Sequence, residues 1–244
     1  MTTATAPPPE ATTPPEATTP ESVTGVAGLM RIVFSLAPGQ RAIVEPVSWE
    51  DYEGLMAARH EAGRHFRLTF NQGSLEIMPT SLAHELLKKI LALLIEIWLA
   101  ETGVNYLPGG NVTVKLELKK RGFESDECYY VQNWERMAGR RELDLVTDPP
   151  PDLLVEAEVS RTAKGRLPVF AGLGVPEVWR YDGSGVIILI LGPDGQYHES
   201  ATSRAIPNFP FAEAPRFLAM AAAGNFSALI REFGAWVRSL PPAA

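Results

Sequence analysis

Asp152-Leu-Leu-Val-Glu-Ala-Glu-Val-Ser160 is the stretch that decides how this chain folds. Side chains of a β-strand alternate between its two faces. Leu153, Val155, Ala157 and Val159 therefore point one way, and Asp152, Leu154, Glu156 and Glu158 the other. On that geometry the Cα atoms of Glu156 and Glu158 lie about 7 Å apart. Carboxylates that close repel each other, and burial raises their pKa values, unless a cation or a shared proton intervenes. A hard metal ion is the simplest occupant. The alternatives are a solvated strand face, or pairing with Arg161 and Arg166.

Outward from this strand, the Pro149-Pro150-Pro151 run stiffens its entry, and Arg161–Leu173 reads as a helix closed by Gly174. Glu177–Tyr181 and Val186–Leu191 read as strands, separated by the Asp182-Gly183-Ser184-Gly185 turn. Upstream, Ser48 caps a helix over Trp49–Glu61, with Asp51 placed as in a capping box. His65–Phe70 and Ser74–Met78 read as a hairpin across Asn71-Gln72-Gly73. Thr80 or Ser81 caps the longest helix, which runs to about Glu101 with Leu82, Leu86, Ile90, Leu93, Leu94 and Ile97 at helical spacing. Strands follow around Val104–Leu107, Val112–Leu116 and Glu127–Val131, then a short helix near Asn133–Ala138. The order helix, three strands, helix, strand predicts an α/β fold with a central mixed sheet flanked by helices.

Residues 1–21 hold only Thr, Pro, Ala and Glu after Met1, with nothing apolar and branched or aromatic to bury. A tail without ordered structure is expected over 1–38. The folded domain is expected over 39–200, and a helical extension over 201–244 packs on it, as two helices split at Gly224-Asn225.

Apolar residues make up 45% of the chain and charged ones 21%, the balance of a globular protein. The formal net charge is −7, so no global basic field draws in nucleic acid. Lys115, Lys119, Lys120 and Arg121, with Arg136, Arg140 and Arg141, are the residues available for a local basic patch. The single cysteine, Cys128, excludes an internal disulfide framework and a cysteine-based zinc site. No apolar run is long enough for a membrane span, and no signal-peptide pattern opens the chain, so a cytoplasmic location is expected. A Walker loop, a dinucleotide fingerprint and a Gly-x-Ser-x-Gly elbow are all absent from the sequence.

The candidate chemistry is acidic. Asp126, in Phe123-Glu-Ser-Asp-Glu-Cys-Tyr-Tyr130, and the Glu156/Glu158 pair are placed to hold Mg²⁺, which takes oxygen ligands, keeps several waters and needs few carboxylates. Lys164 is a candidate helper at the start of the next helix, or an exposed first-turn lysine. His84 and Glu85 sit in the first turn of the longest helix, where the dipole favours a phosphate; Glu85 has Lys89 at i+4 for an ordinary surface pair. Glu76 alternates onto the polar side of its strand and is a weaker candidate.

These segments resemble the Uma-type restriction endonuclease family, a branch of the PD-(D/E)XK nuclease superfamily. The similarity is carried by Phe70-Asn-Gln-Gly-Ser-Leu-Glu-Ile-Met78, Ala83-His-Glu85, Gly122-Phe-Glu-Ser-Asp-Glu-Cys-Tyr-Tyr130, Leu143-Asp-Leu-Val146, Pro149-Pro-Pro-Asp-Leu-Leu-Val-Glu156 and Gly174-Val-Pro-Glu-Val-Trp-Arg-Tyr-Asp-Gly183. The resemblance implies a restriction-endonuclease-like core and maps the motif's two acids onto Asp126 and Glu156. Glu158 stands where the superfamily has lysine, as in some restriction enzymes of the group. Ser125 stands where the family often has proline, and Arg166 where many relatives have a helix lysine.

The expected function is Mg²⁺-dependent hydrolysis of DNA phosphodiester bonds, with Mn²⁺ as a substitute ion. Asp126, Glu156 and Glu158 hold the metal, with Lys164 and His84 assisting. The alternative is a catalytically inactive module of the same fold that binds nucleic acid or protein. DNA is the expected partner, with a homodimer allowed and no membrane contact. Glu156→Gln is expected to raise metal-free stability by relieving repulsion.

Overall fold

The structure is a computed structural model that describes residues 25–63, 65–157, 165–181, 185–222 and 224–241. Glu158 and Lys164 lie outside the described residues. Serine caps start two of its helices. Ser48 Oγ accepts from the Asp51 N–H at 3.0 Å and opens α2 (Trp49–Ala62), which Gly63 closes with φ +61°. Ser81 Oγ accepts from the His84 N–H at 3.2 Å and opens α3 (Leu82–Glu101). Each bond satisfies a first-turn N–H that has no partner inside the helix.

The remaining elements are α1 (Gly25–Ser35), β1 (Ala42–Val44), β2 (Phe66–Asn71), β3 (Ser74–Pro79), β4 (Leu107–Pro108), β5 (Thr113–Leu116), β6 (Arg121–Glu124), β7 (Glu127–Tyr130) and α4 (Trp134–Met137). After these come β8 (Leu153–Ala157), α5 (Leu167–Gly172), β9 (Glu177–Tyr181), β10 (Val186–Leu191), β11 (Tyr197–Ser200), α6 (Ala214–Ala222) and α7 (Phe226–Ser239). Among the described residues the strands form two sheets. The first is antiparallel, in the order β1-β3-β2-β6-β5. The second, β11-β10-β9-β8-β7-β4, is mixed, because β8 and β9 run parallel across α5.

The expected α/β class with helices against mixed sheet is therefore present, but the one central sheet is divided in two. The chain steps from the first sheet to the second between β6 and β7, at Ser125-Asp126. Sequence alternation gave no sign of β6, which has Gly122 at its centre. A Cβ there would come within 2.5 Å of the Tyr52 hydroxyl, so the strand lies close against α2 only because that position is glycine.

Three apolar clusters hold the layers together. α1 and α2 cover the first sheet through Leu29, Val33, Tyr52, Leu55, Leu68 and Leu75. α3, α6 and α7 cover the second through Leu94, Leu99, Phe217, Leu229 and Phe233, which meet Leu153, Val155 and Ala157 of β8. Leu154, from the other face of β8, packs instead with Cys128, Phe123, Phe170 and Val178 in the third cluster. The alternation expected of β8 is thus the division between two cores.

Three boundaries differ from expectation, the first being the strand expected around Val104–Leu107, which is the two-residue β4 (Leu107–Pro108). Within the tail expected over 1–38, Gly25–Ser35 instead forms α1, because Leu29, Ile32, Val33 and Leu36 recur at helical spacing and bury one face. The helix expected over Arg161–Leu173 is described from Leu167 to Gly172. The two C-terminal helices fall on either side of Gly224-Asn225, and Asn225 Oδ1 caps α7 by accepting from the Ala228 N–H at 3.0 Å.

Candidate active site

The antiparallel pairs Glu127–Val155 and Cys128–Leu154 fix the register between β7 and β8. One step further along, Asp126 comes opposite Glu156, on the face those strands turn toward β6 and α5. Both acids are buried, at 2% and 1% exposure. Asp126 Oδ2 accepts from the Ala157 N–H at 2.9 Å and lies 3.0 Å from His84 Nε2. The structure thus brings Asp126, Glu156 and His84 together.

Ser125 is fully buried at the crossover. Its Oγ donates to the Gly110 carbonyl at 3.1 Å, a bond that proline in this position lacks.

Two cations balance the acids. Arg67, on β2, pairs with Asp126 Oδ1 and places Nη1 3.6 Å from Glu156 Oε2. Arg166 pairs with Glu156 Oε2 and donates from Nε to Thr69 Oγ1 at 3.0 Å and from Nη2 to the Glu124 carbonyl at 2.5 Å. The alternative of pairing with Arg166 is therefore realised for Glu156. A third pair, Arg59 with Glu124, lies beside them, and Glu124 Oε2 also accepts from the Leu68 N–H at 3.1 Å.

The two acids respond oppositely. Burial alone would raise the Asp126 carboxyl, but the Arg67 charge and the His84 hydrogen bond outweigh it and hold the group well below the usual carboxylate range. Burial is the largest influence on Glu156 and, with the Asp126 charge, pushes it up to about 7 against the pull of Arg166 and Arg67. Glu156 Oε1 and Arg67 Nε are both buried without a hydrogen-bond partner among the described residues. Each such atom costs about 1–3 kcal/mol.

A cavity of about 660 Å³ opens beside Asp126, lined by the basic side chains Arg59, His65, Arg67 and Lys88 and the acids Glu85 and Glu124. Glu85 pairs with Lys88 at 2.8 Å, at i+3 rather than with Lys89. Glu76 pairs with Arg41 at 3.5 Å.

Several residues of the basic patch read from sequence have partners of their own. Lys115 bonds Glu53 at 2.6 Å, Lys119 the Gly172 carbonyl at 2.7 Å, Arg121 the Asn71 side chain at 3.1 Å, and Arg140 pairs with Asp148 at 3.2 Å. Arg59, Arg67 and Glu124 were not among the sequence candidates. The available signal was Arg67 itself, one charge between the buried Phe66 and Leu68 of an apolar strand.

Among the described residues no group of three or more His, Cys, Asp or Glu side chains is arranged to hold a metal ion. Two buried carboxylates, with Glu156 Oε1 unpartnered among the described residues, do suit a hard cation that keeps most of its waters, provided Arg67 withdraws from between the acids. Among the same residues no helix is long and apolar enough to cross a membrane.

The protein-family profile Uma2, described as "Putative restriction endonuclease", matches residues 49–215. No curated protein matches the sequence. Among solved structures, the crystal structure of "a putative nuclease belonging to DUF820" from Anabaena variabilis is similar at 12% identity. The match covers 70% of this chain and 90% of that one, with a TM-score of 0.41.

Proposed function

Because this chain belongs to the Uma2 family, we propose that it is a metal-dependent endonuclease hydrolysing DNA phosphodiester bonds at the centre built on Asp126 and Glu156. The observation that carries this is the meeting of those two acids from neighbouring strands, Asp126 lining a cavity and Glu156 Oε1 buried and unpartnered among the described residues. Asp126 and Glu156 are the residues that would hold Mg²⁺ or Mn²⁺, and Glu158 is the third donor proposed. Such an ion supplies a water of lowered pKa and neutralises charge on the phosphoryl group.

The chain's own groups then have separate tasks. His84 fixes the Asp126 carboxylate through Oδ2, so its role is positioning. Arg166 fixes Glu156 through Oε2. Arg59, His65 and Lys88 line the space next to Asp126 that an anionic phosphodiester would occupy. Lys164, outside the described residues, is the helper proposed to orient the attacking water.

A second reading, a non-catalytic binding module, is favoured by one specific feature: Arg67 and Arg166 already neutralise both acids. Supercoiled plasmid DNA incubated with Mg²⁺ or Mn²⁺ separates the two. The nuclease reading expects nicking or linearisation by the wild type, abolished by EDTA, Asp126→Ala and Glu156→Ala. DNA that is bound but left intact by the wild type and both variants alike would point to the module.

A further inference from the structure

The two arginines at the acid pair are held very differently. Arg166 uses all three nitrogens, on Glu156 Oε2, Thr69 Oγ1 and the Glu124 carbonyl, and is 4% exposed. Arg67 does not. Among the described residues its Nη1 serves Asp126 and Glu156, its Nη2 reaches only the Met78 sulfur at 3.9 Å, and its Nε is buried without a partner. Glu156 Oε1 likewise lacks a hydrogen-bond partner among the described residues. A guanidinium is a planar fork of five donors, and this one spans two carboxylates while leaving a donor and an acceptor unused.

A compact divalent ion with oxygen ligands at about 2.1 Å matches two adjoining carboxylates better than that fork does. Charge forbids both cations at once. Two arginines already balance Asp126 and Glu156, so a divalent ion added beside both would bury two excess positive charges; losing Arg67 removes one of them, and the carboxylate of Glu158, the third donor proposed above, would offset the other. Arg67 is the one with an exit, because its side chain lines the cavity.

We propose that Arg67 is a stand-in cation, holding the place between Asp126 and Glu156 that a divalent ion takes only by expelling it into the cavity. This inference rests on the metal-dependent reading given above. Arg67 lowers the apparent metal affinity of the site, since only the fraction of molecules with Arg67 displaced is competent to bind. It also ties metal entry to the release of a guanidinium into the space lined by Arg59, His65 and Lys88.

Mn²⁺ binding, read from the electron paramagnetic resonance of the free ion at constant ionic strength, tests this without turnover. Arg67→Met is expected to bind Mn²⁺ about tenfold more tightly than the wild type, Arg67→Lys no more tightly, and Glu156→Gln more weakly. Wild-type binding with no gain in Arg67→Met overturns the role of Arg67 and leaves the metal reading standing. Absence of binding in the wild type and in Arg67→Met overturns both. Should Arg67→Met fail to fold, the wild type decides alone. Phenylglyoxal labelling of Arg67, located by peptide mass spectrometry, is expected to quicken several-fold on saturation with Mn²⁺. An unchanged rate with the ion bound overturns the displacement.

Discussion

His84 Nε2 lies 3.0 Å from Asp126 Oδ2, so the first turn of the longest helix is tied to the strand end that carries a buried acid. Removing the imidazole strands part of that carboxylate away from water. His84→Ala is expected to cost about 1–3 kcal/mol in urea unfolding at neutral pH. Glu85→Ala, which removes a half-exposed partner of Lys88, is expected to cost less than about 1 kcal/mol. Equal effects of the two would mean that the His84–Asp126 contact contributes nothing.

The pH dependence follows from the opposite shifts of the two acids. Glu156 is raised to about 7 by burial, so the folded state favours its protonated form. Its stabilising contribution is full below the unfolded value of about 4.3 and is lost as pH rises through about 7. Asp126 is lowered, and its contribution is present above about 3.9 and lost as pH falls. Glu156→Gln removes only the first effect. The variant is therefore expected to gain on the wild type by on the order of 3 kcal/mol between about pH 4.5 and pH 8. A stability difference that stays flat over that window contradicts it. Burial is the main cause, with repulsion from Asp126 adding to it.

Arg166→Met leaves Glu156, Thr69 and the Glu124 carbonyl without their shared donor. Breaking such a buried pair from one side is expected to cost about 3–5 kcal/mol in chemical denaturation. Arg166→Lys should recover only part of that loss, because an ammonium cannot reproduce the guanidinium fork. Full recovery by lysine would show that charge alone matters here.

Truncation separates tail from fold. Deleting residues 1–21 removes nothing apolar that could pack, and the melting temperature is expected to stay unchanged. Deleting residues 1–38 also removes Leu29 and Val33, both fully buried, at about 1.5–3 kcal/mol for each side chain. Equal melting temperatures for the two truncations would mean that α1 adds nothing to stability.

What was legible in the sequence was local. Period-two alternation in β8 placed Leu153, Val155 and Ala157 in one core and Leu154 in another, and serine caps marked the starts of α2 and α3. Asp126, Glu156 and His84 were named because acids in apolar strands and a histidine in a helix's first turn are visible residue by residue. Arg67 was not found, because its partner Asp126 is 59 residues away and no spacing rule spans that distance. Arg59 and Glu124, 65 residues apart, escaped for the same reason. β6 was missed because a glycine-centred strand carries no alternation, and with it went the division into two sheets. Four of the basic residues read as a patch, Lys115, Lys119, Arg121 and Arg140, are bound to Glu53, Gly172, Asn71 and Asp148, contacts that no local spacing rule announces.

The crossing at Ser125-Asp126 has a consequence for the life of the chain before it is finished. Arg67 comes from one sheet and Glu156 from the other, and Asp126 stands on the step between them. The centre therefore exists only when both cores have formed and docked. A chain still emerging from the ribosome, or one with a single sheet melted, carries scattered side chains instead. Whatever chemistry the assembled centre performs is withheld from every incomplete copy.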